Sequence, residues 1–338
     1  MAPVRRDSLE RLGQTWALDA PSERLRMMII VNPYATTVSV RLKNLVVYAL
    51  QGRYDVTAVE TTSRGHATQL CREAAAEGYD VVVAFGGDGT VNEAANGLAG
   101  GDVPLTCLPG GATNVFCKLL GIPGEIVDAT EHLLRMADDW RPRRVDLARV
   151  GHRSADGEWS GRHFTFSSGI GLDASVVEKV DSRPRLKARL GAWYFTWAAI
   201  ITFLGRYVGR GPRLEVALPN GETHSGVTVV VQNGDPYTYF RNRPIRIADG
   251  GSIDDGALSG VVLRRSTLTV MPTIIWRAFS KRARLTRHRA VDGFSGLQEL
   301  SVRSTDGRPI PLQVDGDHIA DVTEATFGIA PHALTVVS

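Results

Sequence analysis

The sequence predicts two domains: an α/β domain, with a parallel sheet flanked by helices, followed by a mostly antiparallel, β-rich domain. Three observations carry this. From about residue 25, apolar runs alternate with helical segments that close on glycine, the pattern of a parallel sheet with right-handed crossovers. After about Arg144 the texture changes to short β-rich runs separated by Gly, Pro and Asp. At 338 residues the chain is also long enough for two cores.

In the first half, LRMMIIVN (25–32), YDVTAVET (54–61), YDVVVAF (79–85) and VPLTCLP (103–109) read as strands. Between them VSVRLKNLVVYALQG (38–52), RGHATQLCREAAAEG (64–78) and TVNEAANGL (90–98) read as helices, with GGATNVFCKLLG (110–121) after the fourth strand. In such sheets ligands sit at the carboxyl ends of the strands, which gathers three loops: NPYATT (32–37), TTSRG (61–65) and GGDGT (86–90).

In the second half, residues 163–171, 226–234, 256–264, 297–304 and 310–317 read as strands. Two helical segments interrupt them. GAWYFTWAAIITFLG (191–205) would be roughly 22 Å long as a helix, short of the roughly 30 Å of a bilayer core. Its aromatic residues Trp193, Tyr194, Phe195 and Trp197 could line a lipid pocket or pack in a core. PTIIWRAFSKRARLTRHRA (272–290) as one helix would align Arg277, Lys281, Arg284 and His288 on a basic face suited to anionic headgroups.

The net charge of +3 argues against a dedicated nucleic-acid binder. Cys71, Cys107 and Cys117 fit no metal spacing and are expected to be reduced thiols of a cytosolic protein. Residues 1–24 are polar, without the apolar core of a secretion signal, and are expected to form a poorly ordered extension. No Ser/His/Asp or Cys/His constellation emerges.

The chemistry concentrates in GGDGT. No Lys follows the glycines as a Walker A loop requires, and Asn92 stands where a dinucleotide fingerprint has its third glycine. Glycine lets the backbone approach a ligand, and a helix start favours an anion, so the loop can cradle phosphate. Asp88 then meets a cation or a ribose hydroxyl, or fixes the turn.

GGDGTVNEAANGL, with VNP upstream (31–33) and LPGGATN downstream (108–114), resembles the catalytic domain of the diacylglycerol kinase family, most closely its soluble bacterial lipid-kinase branch. The resemblance runs from about Leu25 to the C-terminus and is looser in the second half. It implies the lipid-kinase architecture, with the second domain a β-sandwich and the active-site cleft between the domains. Expected boundaries are 25–143 for the nucleotide-binding domain, 144–315 for the β-rich domain, and 316–338 for a segment returning to the first.

The resemblance also implies ATP with Mg²⁺. Nucleotide contacts would fall on Asn32, Pro33, Tyr34, Ala35, Thr36, Thr62, the run Gly86, Gly87, Asp88, Gly89, Thr90, Val91, Asn92 and Glu93, and on Gly111, Thr113 and Asn114. A family Asp-Gly-Glu element aligns with Asp315-Gly316-Asp317, making Asp315 the expected base with Asp317 beside it. GGSIDDGAL (250–258) resembles a structural Mg²⁺ loop, with ligands from Ser252, Asp255 and Ala257. The sequence departs from the family at Asp317 (usually Glu), Val115 (often acidic), Ala112 (often Thr) and in the glycine-free NPYATT turn.

The implied activity is transfer of the γ-phosphate to a lipid hydroxyl, from diacylglycerol to phosphatidic acid, or to another glycerolipid or a sphingoid base. A soluble acceptor, as in NAD kinases, and a non-catalytic nucleotide- or lipid-binding protein are the alternatives. The expected partner is lipid at the inner face of the cell membrane, by peripheral contact from the cytoplasm, with no nucleic acid. Homodimerisation is left open.

Overall fold

The structure is a computed structural model describing residues 24–35, 38–154, 157–182, 192–240, 243–280 and 282–338. Thr36, Lys281, the expected extension before residue 24, and the side chains of Trp193, Tyr194 and Phe195 lie outside what it describes.

The first half forms the parallel sheet. Strands β1 (Arg26–Val31), β2 (Asp55–Glu60), β3 (Val81–Gly86) and β4 (Leu105–Pro109) pair in parallel in the order β2-β1-β3-β4. The unbroken apolar run of β3 is explained by its place, since all six of its residues are buried, whereas edge strand β2 has none buried. Helices α1 (Val40–Leu50), α2 (His66–Ala76), α3 (Asp88–Leu98), α4 (Val115–Leu119) and α5 (Ile126–Met136) complete the layers. Ser39 sets the start of α1, its side chain accepting the Leu42 N–H at 3.1 Å. One core runs through this half, from Met27 and Phe85 to Phe116 and Leu133.

The second half begins with β5 (Arg143–Ser154), β6 (Trp159–Phe164) and β7 (Ser167–Gly171), then α6 (Leu172–Asp181) and α7 (Ala192–Thr202), which runs into a π-helical turn at Phe203–Tyr207. Strands β8 (Leu214–Ala217), β9 (Thr223–Gly226), β10 (Thr228–Gln232), β11 (Thr238–Phe240), β12 (Arg243–Ile245) and β13 (Leu258–Leu263) lead to α8 (Met271–Phe279). Strands β14 (Val291–Leu297), β15 (Glu299–Ser304), β16 (Ile310–Val314) and the 20-residue β17 (Asp317–Val336) follow. The layer β14-β13-β10-β7-β16 and the strands around β15, β17 and β5 face each other across a core of Val150, Phe164, Val231, Leu312 and Phe327. Among themselves these second-half strands pair antiparallel, as the short β-rich runs after Arg144 predict.

Two expected elements are divided. Residues 163–171 are two strands, broken at Thr165 and Phe166, whose N–H groups are diverted to Asp315. The expected 272–290 helix stops at Phe279: Ser280 is extended and its hydroxyl accepts the Ala283 N–H at 3.0 Å. A separate 3₁₀ turn at Leu285–Arg287 follows, so the expected single basic face does not form.

The two halves are fastened along β17. Its distal end returns to the first domain, where Val336 pairs in parallel with Leu105 and Leu334, Val336 and Val337 enter the first core. Where β17 shifts register, buried Asp146 of β5 accepts the N–H groups of His332 (2.8 Å) and Gly256 (2.6 Å). The 250–258 loop is held in turn by Ile253, whose side chain is buried in the first core.

Candidate active site

The crossovers carry β1 and β3 to a common edge, where two glycine loops lie backbone on backbone. A Cβ on Gly111 would stand 2.7 Å from the Gly87 Cα, closer than any side chain can be seated, so glycine here serves loop-to-loop contact as well as ligand access. Asn114 closes the second loop in the left-handed region (φ 47°), its amide bridging the Gly111 carbonyl and N–H, each at 2.8 Å. Gly87, at the start of α3, offers no capping side chain, so the N-cap residue itself satisfies none of the first turn's N–H groups.

Asp88 does not face outward. Its Oδ2 accepts the Thr113 hydroxyl at 2.7 Å and its Oδ1 the Val115 N–H at 2.6 Å, so it caps α4 and holds the second loop to the first. Burial raises its carboxyl to about 6, against the pull of the Thr113 bond and with a contribution from nearby Asp315. The Val115 departure is accounted for by the core: the Val115 side chain is buried there.

The remaining nucleotide-site residues divide by direction. Asn32 follows β1, donates through Nδ2 to Thr90 Oγ1 at 3.0 Å and accepts the Tyr34 N–H at 3.0 Å, which ties the NPYATT loop to α3. Pro33 and Tyr34 are exposed, and Ala35 closes that turn on the Asn32 carbonyl. Glu93 reaches the TTSRG loop and the helix after it, accepting the N–H groups of Gly65 (2.8 Å) and Ala67 (3.2 Å). Thr62 there is exposed, its N–H donated to His66 Nδ1 at 3.1 Å. Val91 points into the core, away from the loops.

Across from α3, β16 and β17 are joined by Asp315-Gly316, both at positive φ (48° and 82°), as a two-residue type I′ hairpin requires. The Asp315 carboxylate is buried among five hydrogen bonds. Oδ2 accepts Thr165 N (2.7 Å), Thr165 Oγ1 (2.8 Å) and Asn92 Nδ2 (2.7 Å), and Oδ1 accepts Phe166 N and Ser167 N, each at 3.0 Å. Burial pushes this carboxyl upward and the donors pull it back. Asn92 spans the domains, because its Oδ1 accepts from Arg162 Nε at 2.8 Å.

Asp317 stands differently. Its carboxylate lies over the first turn of α3, with Oδ2 2.5 Å from where a Cβ on Gly89 would be; only glycine leaves it room. The shortened arm relative to Glu still reaches the GGDGT loop.

Sequence reasoning missed what holds this hairpin. Gln313 accepts the Gly316 N–H at 2.9 Å and donates to Asp173 Oδ2 at 2.8 Å, and Tyr237 donates to Asp173 Oδ1. It also missed Thr165 and Arg162. The DG dipeptide between two apolar runs was the available signal for the turn.

The 250–258 loop is a separate site on the surface. Asp255 accepts the N–H groups of Ser252 (2.9 Å) and Ala257 (3.2 Å), and Asp254 pairs with Arg143 at 2.8 Å. Asp255 carboxylate with the carbonyls of Ser252 and Ala257 is an oxygen-only set. Two of the carboxylate's roughly four acceptor positions are in use, which leaves capacity for a hard cation, while the Ser252 carbonyl already accepts the Asp255 N–H at 3.3 Å. Among the described residues no three His, Cys, Asp or Glu gather into a metal cluster.

Residues 26–150 match the family model "Diacylglycerol kinase catalytic domain". By that match the chain resembles the diacylglycerol kinases. It is 35% identical over 146 residues to the diacylglycerol kinase of Bacillus subtilis (strain 168), covering 42% of this chain and 43% of that one. It is 28% identical over 202 residues to a Staphylococcus aureus (strain MRSA252) diacylglycerol kinase, covering 54% and 62%. The chain thus spans about half the length of the curated relatives it matches. A Bacillus anthracis (strain Sterne) crystal structure shares the fold at a TM-score of 0.71 and 23% identity, covering 94% of this chain and 97% of that one. Another, of a diacylglycerol kinase from the same strain, gives 0.66 at 20%, with 94% and 97% covered. The two-domain fold is therefore shared with these Bacillus anthracis structures. No helix among the described residues is long and apolar enough to cross a membrane.

Proposed function

We propose that this chain is a lipid kinase that transfers the γ-phosphate of ATP, with Mg²⁺, to a lipid hydroxyl, with diacylglycerol as acceptor and phosphatidic acid as product. The observation that carries the reading is the seating of the Asp317 carboxylate on Gly89, in the first turn of the helix opened by GGDGT. When bound, ATP with Mg²⁺ supplies the phosphoryl group and neutralises its charge. The chain's own contributions follow from the geometry. The α3 start holds phosphate through backbone N–H groups, and the Gly110-Gly111 loop, whose own N–H groups are spent on the Gly86 carbonyl and Asn114 Oδ1, packs against it and fixes its shape. Asp88 keeps those loops together and has no oxygen left without a partner. Asp317, beside that cradle, accepts the proton of the attacking lipid hydroxyl, a role worth roughly 10² to 10⁴ in rate. Asp315, which the sequence favours as base, is committed to five donors and anchors the hairpin that presents Asp317.

The test is transfer of labelled γ-phosphate to lipid in mixed micelles, with diacylglycerol beside a total lipid extract. Asp317→Asn is expected to lose roughly 10² to 10⁴ of the rate while keeping its melting temperature and ATP affinity. Labelling that persists in Asp317→Asn removes that residue as base. ATP binding without labelling of any lipid overturns the kinase reading in favour of a soluble acceptor or a binding protein.

A further inference from the structure

A second surface, at the edge of the β-sandwich, has a composition unlike the rest of the chain. From Arg264 to Val291 the sequence holds eight basic residues and no acidic one, within a chain whose net charge is only +3. The centre of this segment is α8. It buries Ile274, with Val270 and Leu285, in a cluster against β10 and β13. Its opposite face is apolar too. Ile275 (52%), Trp276 (63%) and Phe279 (40%) are exposed there, with Leu268 (60%) in the turn before the helix. A helix apolar on both faces with one of them in solvent marks an interaction surface.

The basic residues frame that face. Arg264 pairs with Asp292 and Arg284 lies 3.8 Å from Asp249, whereas Arg265, Arg282, Arg287 and Arg289 have no acidic partner among the described residues. Beside Trp276 the surface dips into a concavity of about 310 Å³ lined by Thr269, Thr273, Trp276, Arg277, His288 and Arg289. Its floor is ordered: the Ala290 N–H donates to His288 Nδ1 at 3.1 Å, so Nε2 carries the proton and meets the Thr273 hydroxyl at 2.9 Å. A hairpin connects this surface to the phosphate loops. Phe279 packs edge-on against Phe240 at 5.7 Å, and the neighbouring Tyr239 carries Lys118 of α4 over its ring at 4.1 Å.

We propose that this surface docks on an anionic phospholipid bilayer, with Leu268, Ile275, Trp276 and Phe279 at the interface and a lipid phosphate in the concavity beside Arg277 and Arg289. A polyanion such as nucleic acid would satisfy the arginines and leave the apolar stripe in water. An uncharged apolar partner would do the reverse. The boundary of an anionic membrane answers both, since aromatic and aliphatic side chains settle at headgroup depth and each basic residue adds attraction to the surface.

Vesicle sedimentation of the full chain, without nucleotide, tests this independently of the kinase reading. Wild type is expected to pellet with phosphatidylcholine vesicles containing phosphatidylglycerol and to stay in solution with phosphatidylcholine alone. The pair Ile275→Ser with Trp276→Ser and the pair Arg287→Gln with Arg289→Gln should each lower partitioning about tenfold, with unchanged melting because all four side chains are on the surface. Brominated acyl chains should quench wild-type fluorescence, and Trp276→Phe should lose that quenching while still pelleting. Three outcomes would overturn the proposal: no vesicle binding by wild type, undiminished binding by either pair, or tighter binding to a single-stranded oligonucleotide that ignores the apolar pair.

Discussion

Two acidic glycine turns, Asp315-Gly316-Asp317 and Asp254-Asp255-Gly256, look alike as sequence and differ in where their partners come from. Asp255 is answered locally, by N–H groups of Ser252 and Ala257 within its own turn, and it stays exposed. Asp315 is answered from far along the chain, by Thr165, Phe166, Ser167 and, across the domain boundary, Asn92. Local donors hold a carboxylate within its own turn. Distant donors make a turn whose position reports, and enforces, the docking of two domains. Only the second can hold a carboxylate such as Asp317 at a fixed place over the GGDGT loop.

The sharpest way to break this comparison is to remove the anchor. Asp315→Ala strands several buried donors at once, each costing about 1–3 kcal/mol, and should lower stability by about 4 kcal/mol or more. Chemical denaturation measures it, and a loss below about 1 kcal/mol would mean the donors find other acceptors and the hairpin does not depend on Asp315. The next effect is on the glycine contact. Gly111→Ala places a Cβ 2.7 Å from the Gly87 Cα and should cost about 2 kcal/mol and weaken ATP binding, while Gly124→Ala, with no atom within 4 Å, should be neutral. Equal melting of the two variants would show that the loops can part freely.

Asp88 gives an intermediate effect with a definite sign. Its folded carboxyl sits at about 6 against an ordinary 3.8, so the folded chain holds this proton more tightly than the unfolded one. The resulting stability is fully present below 3.8 and is lost as pH rises through about 6, a span worth about 3 kcal/mol at most. Asp88→Asn, neutral throughout, should flatten that part of the profile of melting temperature against pH. A profile with the same slope in both proteins would assign the pH dependence to another group.

What was legible in the sequence follows the same division between local and distant. The strands and helices of the first half could be read because periodicity and glycine stops are encoded within a few residues. The strand, glycine turn and helix around GGDGT could be read for the same reason. The direction of Asp88 could not, since Thr113 and Val115 come from the next loop. Nor could the burial of Asp315 among distant donors, which depends on a break in a strand some 150 residues earlier. The 272–290 segment failed locally: its helical spacing was sound, but the Ser280 hydroxyl competes for the Ala283 N–H and ends the helix.

The smallest predicted effect tests the other half of the comparison. If the 250–258 turn closes on its own, Asp255→Ala should cost no more than about 1 kcal/mol without added metal, because the N–H groups it releases lie at the surface and water replaces the carboxylate. The loop is also pinned at Ile253, which the substitution leaves in the first core. Added Mg²⁺ separates a turn from a cation site. A ligand that binds only the folded chain raises the melting temperature, so wild type should gain stability with Mg²⁺ and Asp255→Ala should not. The same gain in both proteins would remove Ser252, Asp255 and Ala257 as ligands and leave that acidic glycine turn a fastening between domains.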